Sequence, residues 1–118
     1  MSTARQLITK FIWVTGYNAF VMGGSTNYIF GAELKALPVS LGKGFKGLVV
    51  TSPNGTVRVA EFETGAIVGD SVEQVKQDIR EGDKALMLNQ VKAAQQQLDT
   101  WRKVIAKSPE EFWGRVEK

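Results

Sequence analysis

From Phe11 to Ala32 the chain reads FIWVTGYNAFVMGGSTNYIFGA and carries no charged side chain, although 23% of the 118 residues are charged. A stretch of that length without charge belongs in a membrane, a core, an interface or the lining of a ligand pocket, because its apolar groups gain by leaving water. A membrane-spanning helix needs about 20 predominantly apolar residues. Here Thr15-Gly16-Tyr17-Asn18 and Gly23-Gly24-Ser25-Thr26-Asn27 interrupt the run twice. An export signal fits no better, since Lys10 directly precedes Phe11 and no small-residue cleavage site follows the apolar patch. The expectation is no membrane insertion, with the cytoplasm as the default location.

The interrupted pieces read as strands. Phe11-Ile12-Trp13-Val14, Ala19 to Met22 and Tyr28-Ile29-Phe30 are β-branched, aromatic or apolar runs, and the Gly/Asn/Ser segments between them have turn chemistry. Continuous apolar character predicts strands covered on both faces. Ahead of them, Ser2 could cap a short helix carrying Leu7 and Ile8, or Ile8 to Val14 could form one strand.

The middle of the chain holds a hairpin. Leu48 to Thr51 leads into Ser52-Pro53-Asn54-Gly55, and Thr56 to Glu63 leads out. Pro53 presets the first turn angle and Gly55 supplies a positive φ. On the outgoing strand Val57, Val59 and Glu61 share one face; Arg58, Ala60 and Phe62 share the other. A short strand at Ala66-Ile67-Val68 follows.

After Asp70 the period becomes helical. Asp70-Ser71-Val72-Glu73 has the form of a helix start, and Val72, Val75 and Ile79 recur on one face until Gly82. A second helix is expected from about Lys84 to Ala106, with Met87, Val91, Ala94, Leu98, Trp101 and Ile105 forming a seam spaced four and three residues apart. Ser108-Pro109-Glu110-Glu111 opens a third helix, ending near Val116, with Phe112 and Trp113 available for packing. The fold class is therefore α+β, an antiparallel β-sheet in the N-terminal two thirds packed against two or three C-terminal α-helices, in a single domain over residues 1–118.

Two absences narrow the chemistry. Without cysteine or histidine there is no disulfide, thiolate nucleophile or thiolate metal site, and the commonest general base and transition-metal ligand are missing. No cofactor is expected and no metal site is assigned. Asp78, Glu81 and Asp83 could be imagined around magnesium, but their spacing does not require it. A histidine-free isomerase or lyase would need a carboxylate in an apolar cleft, and Glu33 or Glu61 would be the first to examine.

Gly42-Lys43-Gly44-Phe45-Lys46-Gly47 fits G-x-G-x-x-G, yet a dinucleotide fingerprint follows a strand and opens a helix, whereas this segment precedes a strand. It also fits the kinase phosphate loop, but the chain is too short for that fold. Asn54-Gly55-Thr56 has the form of a glycosylation acceptor and sits where a hairpin turn calls for Asn-Gly. Gly23 to Asn27 could form an anion-binding nest, or simply a turn.

The reading that results is a non-catalytic binding or assembly module that associates with itself or another protein, because three Trp, six Phe and the helical seam exceed what a small interior needs. Its expected interface is Leu98, Trp101 and Ile105, then Phe112 and Trp113. The rival is a nucleic-acid or phosphate-ligand binder using Lys43, Phe45, Lys46 and Arg58, in a chain whose net charge is +3.

Overall fold

The computed structural model describes residues 6–21, 24–82 and 84–117. The helix start at Ser2 lies outside them. Six strands and three helices follow in the order β1 (Ile8–Val21), β2 (Gly24–Gly42), β3 (Phe45–Thr51), β4 (Val57–Glu61), β5 (Ile67–Gly69), α1 (Val72–Glu81), α2 (Lys84–Thr100), β6 (Arg102–Ile105) and α3 (Pro109–Val116). Strands β1 to β5 form an antiparallel meander with neighbours in chain order, and β6 joins β2 in parallel. This is the α+β layout expected from the change in period near Asp70.

The meander curls until its end returns to its beginning. Ala66, just before β5, bridges Trp13 of β1 in parallel, and the Trp13 amide donates to the Gly65 carbonyl at 3.1 Å. One turn makes this closure. The buried carboxylate of Glu61 accepts from the Glu63 amide at 2.6 Å and from the Thr64 amide and hydroxyl at 2.8 and 2.9 Å. The Trp13 indole N–H donates to the Thr64 carbonyl at 2.7 Å, so the buried polar groups at the seam satisfy one another. Gly65 has φ +78, and a Cβ there would strike the Phe11 carbonyl oxygen. Only glycine fits both the backbone angle and the space.

Inside the curl, alternate residues of the strands pack together. Ile12, Phe30, Ala32, Leu34, Ala36, Leu48, Val50 and Ala60 are buried with Phe112 and Trp113 of α3. Helix α3 forms where the sequence signals it. Ser108 accepts from the Glu111 amide, Pro109 takes the first position, and Glu111 reaches back to the Lys107 amide at 3.1 Å. Its first face stacks Phe112 on Phe30, with centroids 5.6 Å apart and planes 13° from parallel. Trp113 meets Phe112 edge-on. On the outer face of the sheet Leu41 and Val59 pack against Val75 and Ile79 of α1, with Phe45 and Val68 alongside. The sheet is thus covered by α1 on one face and by α3 on the other, and Ile12, Trp13, Ile29 and Phe30 of the apolar runs are buried.

Two expected boundaries change. The three short N-terminal strands are really the two arms of one long hairpin, and Gly16 to Asn18 is strand, not turn: Gly16 pairs with Tyr28, Tyr17 with Asn27 and Asn18 with Thr26. Cross-strand hydrogen bonds here outweigh the turn preference of Gly and Asn, which is a weak local bias. The second change concerns the long helix. It ends at Thr100, and Arg102–Ile105 pairs with Tyr28–Gly31 as β6. Val104 and Ile105 are β-branched and favour a strand once an open edge is beside them. Helix α2 then lies between α1 and β6 in the chain, and its seam is no longer continuous to Ile105.

Candidate functional site

Of the four loop and strand residues suggested as a ligand site, the fold brings together two. Gly42, Lys43 and Gly44 all have positive φ in the tight turn between β2 and β3, so the glycine pattern serves a β-hairpin and opens no helix. Lys43 points its ammonium at the Arg80 carbonyl, 3.3 Å away, at the C-terminal end of α1 where a cation is favoured. Arg58 lies toward the other end of β4, opposite Val50. It pairs with the exposed Asp70 at 3.6 Å and donates to the Val57 carbonyl. Phe45 and Lys46 remain. They line a groove of about 470 Å³ with Ile8, Pro38, Val39, Ser40, Gly44 and Phe62.

The groove forms because β1 starts late. Ile8 pairs with Ala36, whereas β2 runs on to Gly42 beside β3, leaving Pro38, Val39 and Ser40 open on the side toward β1. Phe62 closes the far wall as the chain leaves β4, held by its amide donating to the Lys46 carbonyl at 3.2 Å. Two ammonium groups sit over its ring, Lys10 at 5.5 Å and Lys46 at 5.7 Å from the centroid. Such contacts contribute about 0.5–1 kcal/mol each at exposed sites. Lys10 and Phe62 were not singled out by sequence reasoning. Strand parity offered one clue, because Phe62 and Ala60 share the inner face of β4, but only the curl brings Lys10 of β1 alongside.

A second opening lies across the molecule. Helix α2 stands over the closure of β5 on β1, and between them runs a groove of about 510 Å³ lined by Trp13, Val14, Thr15, Ala66, Ile67, Val68, Gln90, Ala93, Ala94 and Gln97. Met87, Val91, Ala94 and Leu98 of the expected seam are only half-buried. Trp101 is half-buried and Ile105 is 63% exposed. Phe112 and Trp113, the other two suggested interface residues, are 0% and 4% exposed in the core. Their rings plug the curl, so they are not available to a partner surface.

The two carboxylates marked for a catalytic role sit in different surroundings. Glu61 spends its oxygens on the 61–64 turn, and Glu33 is exposed on β2. Asp78 and Glu81 each accept from a glutamine one turn earlier, Gln74 and Gln77, while Asp83 lies outside the described residues. Among the described residues no group of three acidic side chains is arranged to hold a metal ion, and no helix is long and apolar enough to cross a membrane. The carboxyl of Glu117, after α3, is held below the ordinary range by the Ser52 hydroxyl first, opposed by partial burial and helped by Asn54, Thr56 and the charge of Arg58. It ties the end of α3 to the β3–β4 turn, with Asn54 Nδ2 donating to its Oε2 at 3.2 Å. Set against protein-family models, curated proteins and solved structures, the chain matches none.

Proposed function

We propose that this protein is a non-catalytic binding and assembly module that associates with copies of itself through the free end of the β1–β2 hairpin and the surface at its base. The observation that carries this reading is the length of that hairpin beyond any third strand. Among the described residues β6 reaches along β2 only from Tyr28 to Gly31, and the β3 ladder reaches back along β2 only to Leu37. Beyond β6, Tyr17 to Val21 pair only with Asn27 to Gly24. At ~3.3 Å per residue that two-stranded arm extends roughly 16 Å, and the molecule measures 56 × 33 × 23 Å. A two-stranded ribbon is marginal alone in water. This one has no charged residue to discourage another strand from joining its edges.

The base of the arm adds area of the same character. Ile105 lies opposite Gly31 in the ladder, and Leu98 and Trp101 precede β6 and are partly exposed. A second copy suits such a surface, because edge-to-edge pairing about a two-fold axis is self-complementary. Arg102 and Lys103, both exposed, guard the outer edge of β6 against indiscriminate pairing, leaving the arm as the reactive edge.

Light scattering coupled to size exclusion, over a hundredfold range of concentration, tests the reading. A mass above that of the monomer is expected, falling toward it for Tyr17→Lys combined with Phe20→Lys and for Ile105→Glu. A strict monomer at the highest concentration, or an assembly indifferent to all three substitutions, would remove it.

A further inference from the structure

Lys10 and Lys46 approach one aromatic ring from two strands, at 5.5 and 5.7 Å from the centroid of Phe62. Among the described residues neither has an acidic partner within ion-pair distance, and the ion pair found there joins Arg58 to Asp70. The ring quadrupole draws both cations to it, and an anion bound beside the ring would give them a charge partner. Lys46 and the same Phe62 ring also line the groove of about 470 Å³, together with Ile8, Pro38, Val39 and Phe45. Its volume falls within the range of small-molecule sites, and apolar walls with a few convergent charges are their usual make-up.

We propose that this groove binds a small amphipathic anion, with a carboxylate or phosphate head at Lys46 and Lys10 beside Phe62 and a hydrocarbon chain against Ile8, Pro38, Val39 and Phe45. Among the described residues Lys46 is the cation that lines the groove and Lys10 reaches the same ring, which is not the stripe that would follow a polynucleotide backbone. The apolar wall needs a body to cover it, which a bare inorganic anion lacks. The groove lies at the Ile8 end of β1 and the arm at the Val21 end, so this proposal stands whether or not the chain self-associates.

Isothermal titration with decanoate and decyl phosphate, both below their micelle concentrations, tests it on the full chain. Both should bind one to one. Decanol, which has the chain without the charge, and inorganic phosphate, which has the charge without the chain, should bind at least tenfold more weakly or not at all. The double variant Lys10→Gln/Lys46→Gln should lose about tenfold in affinity for decanoate while its circular dichroism stays as in the parent, and Arg58→Gln should bind as the parent does. Absence of decanoate binding would overturn the proposal, as would equal affinity for decanol or indifference to the double variant. Capture by phosphatidylglycerol vesicles or by an oligonucleotide without binding of monomeric decanoate would also overturn it, and would assign the lysines to a larger anionic surface.

Discussion

Helices α3 and α2 flank the same sheet, yet they are held in different ways. Helix α3 has eight residues and buries Phe112 and Trp113 almost completely. Helix α2 has seventeen, and no side chain described on it is buried. Length therefore does not decide how firmly a helix is anchored. What α3 has is two large rings entering the end of a curled sheet, where Phe30 stacks against one of them and the Arg115 guanidinium lies over the Phe30 ring at 4.3 Å. The seam of α2 offers Met87, Val91 and Ala94 among glutamines, over a surface already closed by its own hydrogen bonds. Small side chains on a ridge leave a groove; large ones in a socket leave none.

The sharpest test of this contrast is Phe112→Ala. It should cost about 3–5 kcal/mol, the usual range for removing a fully buried ring, and urea unfolding would read it. A cost near 1 kcal/mol would mean that α3 is no better anchored than α2. Next comes the closure on which α2 rests. Trp13→Phe keeps a six-membered aromatic ring but removes the pyrrole ring and its donor to the Thr64 carbonyl, and a loss of at least about 1–3 kcal/mol is expected for an acceptor left buried and unmet.

On α2 itself, Val91→Ala should cost less than about 1 kcal/mol, since the side chain is half-covered and helix propensity favours alanine. Amide exchange should report the same order, with α2 opening at lower free energy than α3 or β3. A protected α2 in the isolated protein would break the comparison, whereas protection that appears only as concentration rises would tie the helix to assembly.

The smallest effect concerns the tail of α3. The Glu117 carboxyl is held low in the folded chain, chiefly by the Ser52 hydroxyl. A group whose folded value lies below its unfolded one stabilises the fold above the unfolded value, about 4.3 for glutamate, and loses that contribution as pH falls through the folded value. Stability measured from pH 6 down to pH 3 should therefore fall slightly more in the parent than in Glu117→Gln. Equal slopes would show that the Ser52 and Asn54 contacts do not favour the charged form.

Much of the fold was legible because its signals are local. Ser71 and Ser108 cap helices, Pro109 opens one and Gly55 turns a hairpin, each through angles and hydrogen bonds that reach only a few residues. The groove was half legible. Phe45 and Lys46 were marked by lying on a charged aromatic loop, but Lys10 and Phe62, far apart in the chain, meet only across the curl. Phe112 and Trp113 were legible as packing residues, and only the fold shows that the surface they pack against is the inside of their own sheet. Amphipathic helices show which face is apolar and not what covers it.

By itself, then, the sequence determined that this chain has a β half and a helical half, where two of its helices begin, and that its chemistry proceeds without cysteine or histidine. Only the tertiary structure decided that Gly16 to Asn18 would stay in a strand, that Arg102–Ile105 would leave the helix for the edge of β2, and that two lysines would meet over Phe62. Backbone angles and caps depend on neighbours in the chain, while strand pairing and convergence depend on which edges and side chains are brought near by folding, and a competing partner at hand overrides a weak local preference.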